Sequence, residues 1–216
     1  MADFPLTDKI AAARAGSMSA VDGLLRHFEP WLRLIAQTQF ESRFAAKFDP
    51  ADVVQQTLIQ AARDLPKFRG TSEGEWMAWL RQILAHTLAH EVRRYAGTQK
   101  RDLHREVSID QELTAVSQRL GDLLPDGGPT PSQDAVAADH QIRLARVLDR
   151  LPADYREILV LRHLEGLPHD EIARRLGRNS GAVRMLWVRA LARLREEVGR
   201  EGGWPGESRA PSPPIP

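Results

Sequence analysis

The sequence predicts an all-α protein made of two small helical domains joined by a flexible acidic linker. Three observations predict it. Apolar residues recur at helical spacing in both halves of the chain. No stretch alternates as a half-buried strand would. Gly and Pro punctuate the sequence and divide it into segments. At 216 residues, the chain has room for two domains of roughly 80 residues, each able to bury a modest core.

Taken in order, Met1 to Ser19 holds no long apolar run and does not read as a secretory signal. No stretch of about 18 consecutive apolar residues suggests a membrane span. Between Ser19 and Gln39, residues Val21, Leu24, Leu25, Phe28, Trp31, Leu32 and Ile35 keep helical spacing. Asp49-Pro50-Ala51-Asp52 reads as a helix start, with Asp49 as N-cap, Pro50 as first helical residue and Asp52 near the positive end of the dipole. The stripe Val53, Val54, Leu58, Ala61, Ala62, Leu65 follows, and Pro66 stops it. After the short loop Phe68-Arg69-Gly70-Thr71, Ser72 and Glu75 form a capping-box pattern. The helix it opens runs to about Arg94, with Trp76, Leu80, Ile83, Leu84, Thr87 and Leu88 on one face. These stripes are foremost an ordinary helical core.

From about Gly97 to Asp139 the pattern weakens, and residues Pro125 to Ser132 are a linker by composition. Periodicity resumes at about Gln141. The expected division is a first domain at 1–97, an acidic linker at 98–140, a second domain at 141–198 and a tail at 199–216. With five Pro and four Gly, that tail is expected to be disordered.

Residues Leu151 to Val198 carry the most specific pattern. Pro152 opens a helix that holds Tyr155, Ile158, Leu159, Leu161 and Leu164, and Gly166 stands where it should end. A short second helix, Asp170 to Leu176, precedes Gly177, Arg178 and Asn179, and a third begins at Ser180. Ala173 lies four residues before Gly177 and ten before Val183. A helix-turn-helix needs a small residue where its helices cross, a glycine in the turn, and a buried residue later. Asn179 suits the N-cap of the third helix. On that helix Val183, Trp187, Ala190 and Leu194 share the core face, while Gly181, Arg184, Met185, Val188 and Arg189 point elsewhere. The first turns of a recognition helix reach base edges in the major groove. Arg184 is the expected base contact, because arginine pairs bidentately with guanine. Arg189, Arg193 and Arg195 are assigned to phosphates or solvent.

The formal net charge is only +1, so bulk charge identifies no partner. Its distribution is informative. Trp76 to Arg105 carries six Lys/Arg against two Asp/Glu, Glu106 to Asp139 seven acids against one Arg, and Asn179 to Arg195 four Arg and no acid. Two basic stretches with an acidic one between them suggest two polyanion-binding surfaces and a segment that repels DNA. With no cysteine, disulfides and thiolate metal sites are excluded, in keeping with a reducing cytoplasm. His86 and His90 stand four apart, yet Thr87 occupies the place where a zincin helix has glutamate. No Gly-rich phosphate loop or nucleophile elbow appears, so neither catalysis nor a cofactor or metal is expected.

The residues from Leu151-Pro152 through Arg162-His163-Leu164-Glu165-Gly166-Leu167, Glu171-Ile172-Ala173, Leu176-Gly177, Gly181-Ala182-Val183-Arg184 and Leu194-Arg195 resemble region 4 of the sigma-70 family. The N-terminal residues Asp49, Asp52-Val53-Val54-Gln55-Gln56-Thr57, Phe68-Arg69-Gly70, Trp79-Leu80 and Arg93-Arg94 resemble its region 2. The two motifs stand in the family's order with no region 3 between them, a layout similar to the extracytoplasmic-function group. Two coupled motifs are more specific than either alone.

The resemblance implies a bacterial sigma factor that binds core RNA polymerase and directs promoter-specific initiation. Asp52, Val53, Gln55 and Gln56 match the segment that packs on the β′ clamp coiled coil. Lys67, Phe68, Arg69, Trp79, His86, His90, Arg93 and Arg94 lie in the segment that captures the minus-10 element, where aromatic and basic groups suit unstacked bases. Ser180, Gly181, Arg184, Met185, Val188 and Arg189 would face the minus-35 duplex. The implied partners are core polymerase, through its β′ clamp and β flap, and promoter DNA; an anti-sigma factor or other regulatory protein is left open. The alternative is a stand-alone helix-turn-helix regulator, which leaves the Asp52–Gln56 motif without a purpose. The chain departs from the family pattern at Gln56, often Glu, at Pro168, where a Ser or Thr cap is usual, at Arg178, and at Met185 and Leu186, where polar or basic residues are common.

Overall fold

The computed structural model of the protein describes residues 6–43, 49–96, 103–122 and 134–200. Its helices are α1 (Leu6–Arg14), α2 (Met18–Arg43), α3 (Pro50–Asp64), α4 (Glu73–Ala96), α5 (Leu103–Asp122), α6 (Asp134–Arg150), α7 (Ala153–Leu159), α8 (His169–Arg175) and α9 (Ser180–Arg200). A 3₁₀ turn, Leu65–Lys67, follows α3, and α7 widens into a π turn at Val160–Leu164. The described residues include no strand. None of the described helices is long and apolar enough to cross a membrane.

The helix starts form for the local reasons that the sequence offers. Asp49 is extended and its Oδ1 accepts from the Ala51 N–H at 2.8 Å, with Pro50 at the first helical position. At α4 the Ser72 Oγ accepts from the Glu75 N–H at 3.2 Å while Glu75 Oε2 accepts from the Ser72 N–H at 3.0 Å. That exchange satisfies two donors that a helix start would otherwise leave open. Glu75 Oε2 also accepts from the Thr71 N–H at 2.8 Å. These backbone donors, Thr71 first, hold the Glu75 carboxyl below its usual pKa. Gly70 sits where the loop meets α4 so closely that a Cβ would lie 2.4 Å from Phe68 Cζ and 2.9 Å from Glu75 Cβ. Only glycine fits there without a shift of the ring or the cap.

Phe28, Trp31, Leu32 and Ile35 of α2, Val53 and Ala61 of α3, and Trp76, Leu80 and Leu84 of α4 pack as the centre of the N-terminal half. Each large apolar side chain buried in this way contributes about 1.5–3 kcal/mol. Helix α1, which carries no strong sequence signal, closes one end by burying Ile10 and Ala13.

The segment expected to lack pattern holds a 20-residue helix, α5. Ile109, Leu113, Val116 and Leu120 are buried along one side of it. Their spacing of four, three and four is helical, but the interleaved acids mask the stripe in a reading led by charge. Arg81 of α4 pairs with Asp110 at 3.3 Å, and the Ser117 hydroxyl donates to Gln141 Oε1 of α6 at 2.7 Å. Helix α6 also starts earlier than the expected Gln141, at Asp134. The Pro- and Gly-rich run 125–132 and most of the expected tail lie outside the described residues.

The two helical units touch. Helix α6 lies on α2, where Arg146 bonds the His27 ring at 2.8 Å and its carbonyl at 3.3 Å. Arg33 approaches Asp149 at 3.7 Å, and the Arg119 guanidinium donates to the Leu164 carbonyl. Ile142, Leu144, Ala145, Val147 and Leu148 of α6 complete a core continuous with that of the N-terminal half.

Candidate nucleic-acid interface

The helix-turn-helix is built from α8 and α9. Helix α8 starts at Pro168 with no side-chain cap, as the departure at that position predicts. It ends where the Gly177 N–H donates to the Arg174 carbonyl at 3.4 Å and the Arg178 N–H to the Ala173 carbonyl at 2.9 Å. Gly177 takes the left-handed conformation this ending needs, at φ 61°. Ala173 and Val183 are buried at the crossing. Asn179 Oδ1 accepts from the Ala182 N–H at 2.7 Å and so caps α9. Asn179→Ala should lower stability by about 1 kcal/mol, read as a shift of the urea midpoint at unchanged slope.

Helix α9 buries Val183, Leu186, Ala190, Leu194 and Val198. Leu186 thus belongs to the core, which explains an apolar residue where polar ones are common. Trp187, expected in the core, is half-buried instead. Its Nε1 donates to His163 Nε2 at 3.0 Å, and its ring packs edge-on against His169 at a centroid distance of 5.3 Å. Ser180 is half-buried, and Gly181, Arg184, Met185, Val188 and Arg189 are exposed. Arg184 keeps only a loose approach to Asp170, at 3.9 Å, with its side chain 64% exposed. The C-terminal arginines differ: Arg193 and Arg200 both pair with Glu196 and Glu197. Although Arg195 is also exposed, Glu196 and Glu197 offset two of the three arginines beyond Leu191, so the net positive charge of α9 lies more on its N-terminal half.

Burial, and then the charges of Arg162 and His169, hold the His163 ring below its usual pKa of 6.5. His169 is lowered likewise by burial and by Arg162 and Arg184. Only a neutral His163 can accept from Trp187. As pH falls through 6.5, the unfolded chain takes up a proton that the folded one refuses, so stability present above 6.5 is lost below it. Thermal melts at pH 7.5 and 5.5 should show a fall of a few degrees, reduced in His163→Gln, whose amide accepts without titrating.

The second surface joins α3 and α4. Gln56, Gln60 and Asp64 of α3 face Trp79, Gln82, Ile83, His86, Thr87 and His90 of α4 across an open groove of about 500 Å³. The structure thus brings Gln56, from the expected polymerase set, together with Trp79, His86 and His90, from the expected minus-10 set. Gln60 and Asp64 were not singled out from sequence, although they follow Gln56 at four-residue steps along α3. Lys67 is exposed and bonded to Asp64 at 2.5 Å, which with Gln60 lowers the Asp64 pKa. Arg69 is exposed and donates to the Pro66 carbonyl at 2.7 Å. Arg93 is half-buried, and Arg94 reaches the buried Glu91 at 3.3 Å.

Two expected surface residues are corrected. Val53 is only 1% exposed, so it packs the core behind α3 while Asp52, Gln55 and Gln56 stay exposed. Phe68 is only 5% exposed. Its ring sits 5.1 Å from Trp76 and 5.0 Å from Trp79, so it supports Trp79 from behind and offers no face of its own.

The family described as "Sigma-70, region 4" matches residues 141–194, which run from the middle of α6 through most of α9. The chain is 29% identical over 198 residues to "ECF RNA polymerase sigma factor SigD" of Mycobacterium tuberculosis (strain ATCC 25618 / H37Rv), covering 90% of this chain and 84% of that protein. It is 28% identical over 159 residues to "ECF RNA polymerase sigma-E factor" of Haemophilus influenzae, covering 73% of this chain and 78% of that one. Among solved structures, that of CnrH in complex with the cytosolic domain of CnrY aligns with 90% of this chain and 97% of its own, at 23% identity and a TM-score of 0.34.

Proposed function

Given that the chain belongs to the sigma-70 family, in its extracytoplasmic-function group, we infer that it works as follows. It binds core RNA polymerase and directs initiation from a promoter read at two places. The observation that carries this reading is the exposed, basic N-terminal half of α9, capped by Asn179 and set on a helix-turn-helix. Residues 141–198 act as the duplex-reading domain and 1–97 as the polymerase-docking and strand-capturing domain. Arg184 pairs with a base in the minus-35 duplex, and Ser180, Gly181 and Arg189 line the same groove.

Asp52, Gln55 and Gln56 dock on the β′ clamp coiled coil, and the C-terminal domain rests on the β flap. Trp79, His86 and His90 take unstacked bases of the minus-10 strand along the α3–α4 groove, with Lys67, Arg69, Arg93 and Arg94 near its phosphates. Binding the single strand in preference to the duplex lowers the cost of opening. The polymerase performs the chemistry, and this chain contributes none and works in the cytoplasm. An anti-sigma protein would act by covering one of these surfaces.

Run-off transcription with sigma-free core polymerase on a fragmented genomic library, with and without the protein, tests the reading. Discrete new transcripts are expected, and their start sites supply the promoter motif. Silence, together with tight duplex binding by the protein alone, would replace this reading with a stand-alone regulator.

A further inference from the structure

We propose that Met185 and Val188 form an apolar reader of thymine, recognising C5-methyl groups in the upstream promoter element beside the base paired by Arg184. The proposal rests on the reading of α9 as the helix that enters the major groove. Met185 is 59% exposed and Val188 51%. They stand one turn apart and so are neighbours on the helix surface. The fold does not account for them, because α9 meets the core through Val183, Leu186, Ala190, Leu194 and Val198.

What surrounds the pair selects its partner. Gly181, one turn before Met185, is exposed and has no side chain, so the start of α9 can approach base edges closely. Arg184 and Arg189 flank the pair and are exposed, and from Asn179 to Arg195 there is no acid. An apolar patch meant for a protein surface would sit poorly in this cationic setting, whereas a polyanion complements it. Within the major groove the apolar feature on offer is the thymine methyl. Valine presents a rigid branched surface, and methionine, unbranched and polarisable, adapts to the gap beside it.

Deoxyuridine lacks this methyl and keeps the hydrogen-bonding groups of thymine. Holoenzyme would therefore be assayed on a promoter found by the run-off experiment, with each thymine of the upstream element replaced singly by deoxyuridine. At one or two positions open-complex formation should fall about 4-fold per methyl, the factor that burial of one such group corresponds to. Met185→Ala with Val188→Ala should lower activity on the natural template and abolish the difference between thymine and deoxyuridine. Val188→Thr, which keeps the branched shape, should reduce that difference in part even if the double variant proves unstable. An upstream element without thymine, equal activity on all deoxyuridine templates, or a difference that survives the double variant would overturn the proposal. A loss of transcription in the variants with no deoxyuridine effect in the wild type would mark the pair as a protein contact and overturn it too. If unmodified templates give no transcript at all, the sigma reading itself fails, and the proposal falls with it.

Discussion

Trp76→Ala should destabilise the protein by about 3–5 kcal/mol, the range for removing a large aromatic side chain from a core. Total stabilities run at about 5–15 kcal/mol, so this one change would leave a marginal fold. Trp76 is 1% exposed and meets three rings, Phe28 at 6.1 Å, Phe68 at 5.1 Å and Trp79 at 5.0 Å. Such pairs contribute beyond the area they bury, at about 0.5–1.5 kcal/mol each. The indole Nε1 is buried with no hydrogen-bond partner among the described residues, which sharpens the test. Trp76→Phe keeps most of the ring while removing an unsatisfied donor, so it should cost less than about 1.5 kcal/mol. Denaturant titrations of the three proteins should rank them wild type, Phe, Ala. Equal losses for Phe and Ala would show that the indole matters for something other than filling space. Because Phe68 and Trp79 lean on Trp76, the alanine variant should also lose the minus-10 function proposed for the α3–α4 groove before it loses α9.

Arg184→Ala should reduce recognition of the upstream element about 5- to 150-fold, which is the loss of one bidentate base contact worth about 1–3 kcal/mol. Its side chain is 64% exposed and its one carboxylate neighbour among the described residues is Asp170, at 3.9 Å, so stability should change by less than about 0.5 kcal/mol. Transcription would be compared on templates carrying each of the four base pairs at every upstream position. The variant should become indifferent at one position while capture of core polymerase stays as it was. An equal fall in polymerase capture would mean that the division of labour between the two halves is wrong.

The helix-turn-helix was legible because its demands are local. A small residue at Ala173, a left-handed glycine at Gly177 and a cap at Asn179 all lie within a few residues of what they organise. The capping box at Ser72 and Glu75 was legible for the same reason. Helix α5 was not, because acidic residues interrupt an apolar stripe whose partners lie on other helices. Val53 and Phe68 show a second limit. A motif marks a segment as functional without saying which of its side chains face outward. The apolar stripe of α3 already places Val53 on the core side against the motif, and three-dimensional packing decides between the two. For Phe68, packing alone assigns the ring to the core. Contacts between distant residues, such as Arg146 with His27 or Trp187 with His163, leave no trace in spacing.

The π turn after α7 sets the phase of everything that follows. There the Glu165 N–H reaches back five residues, to the Val160 carbonyl at 3.0 Å, one residue more than an α-helix uses. Removing a single residue from Val160–Leu164 would let the helix continue in regular form, since each residue turns an α-helix by about 100°. That regular helix would aim the chain entering α8 in a different direction, and Arg184 would no longer be presented to the groove proposed for it. A one-residue deletion in this turn is therefore a frameshift in space, and the reading proposed for the upstream element would depend on that count.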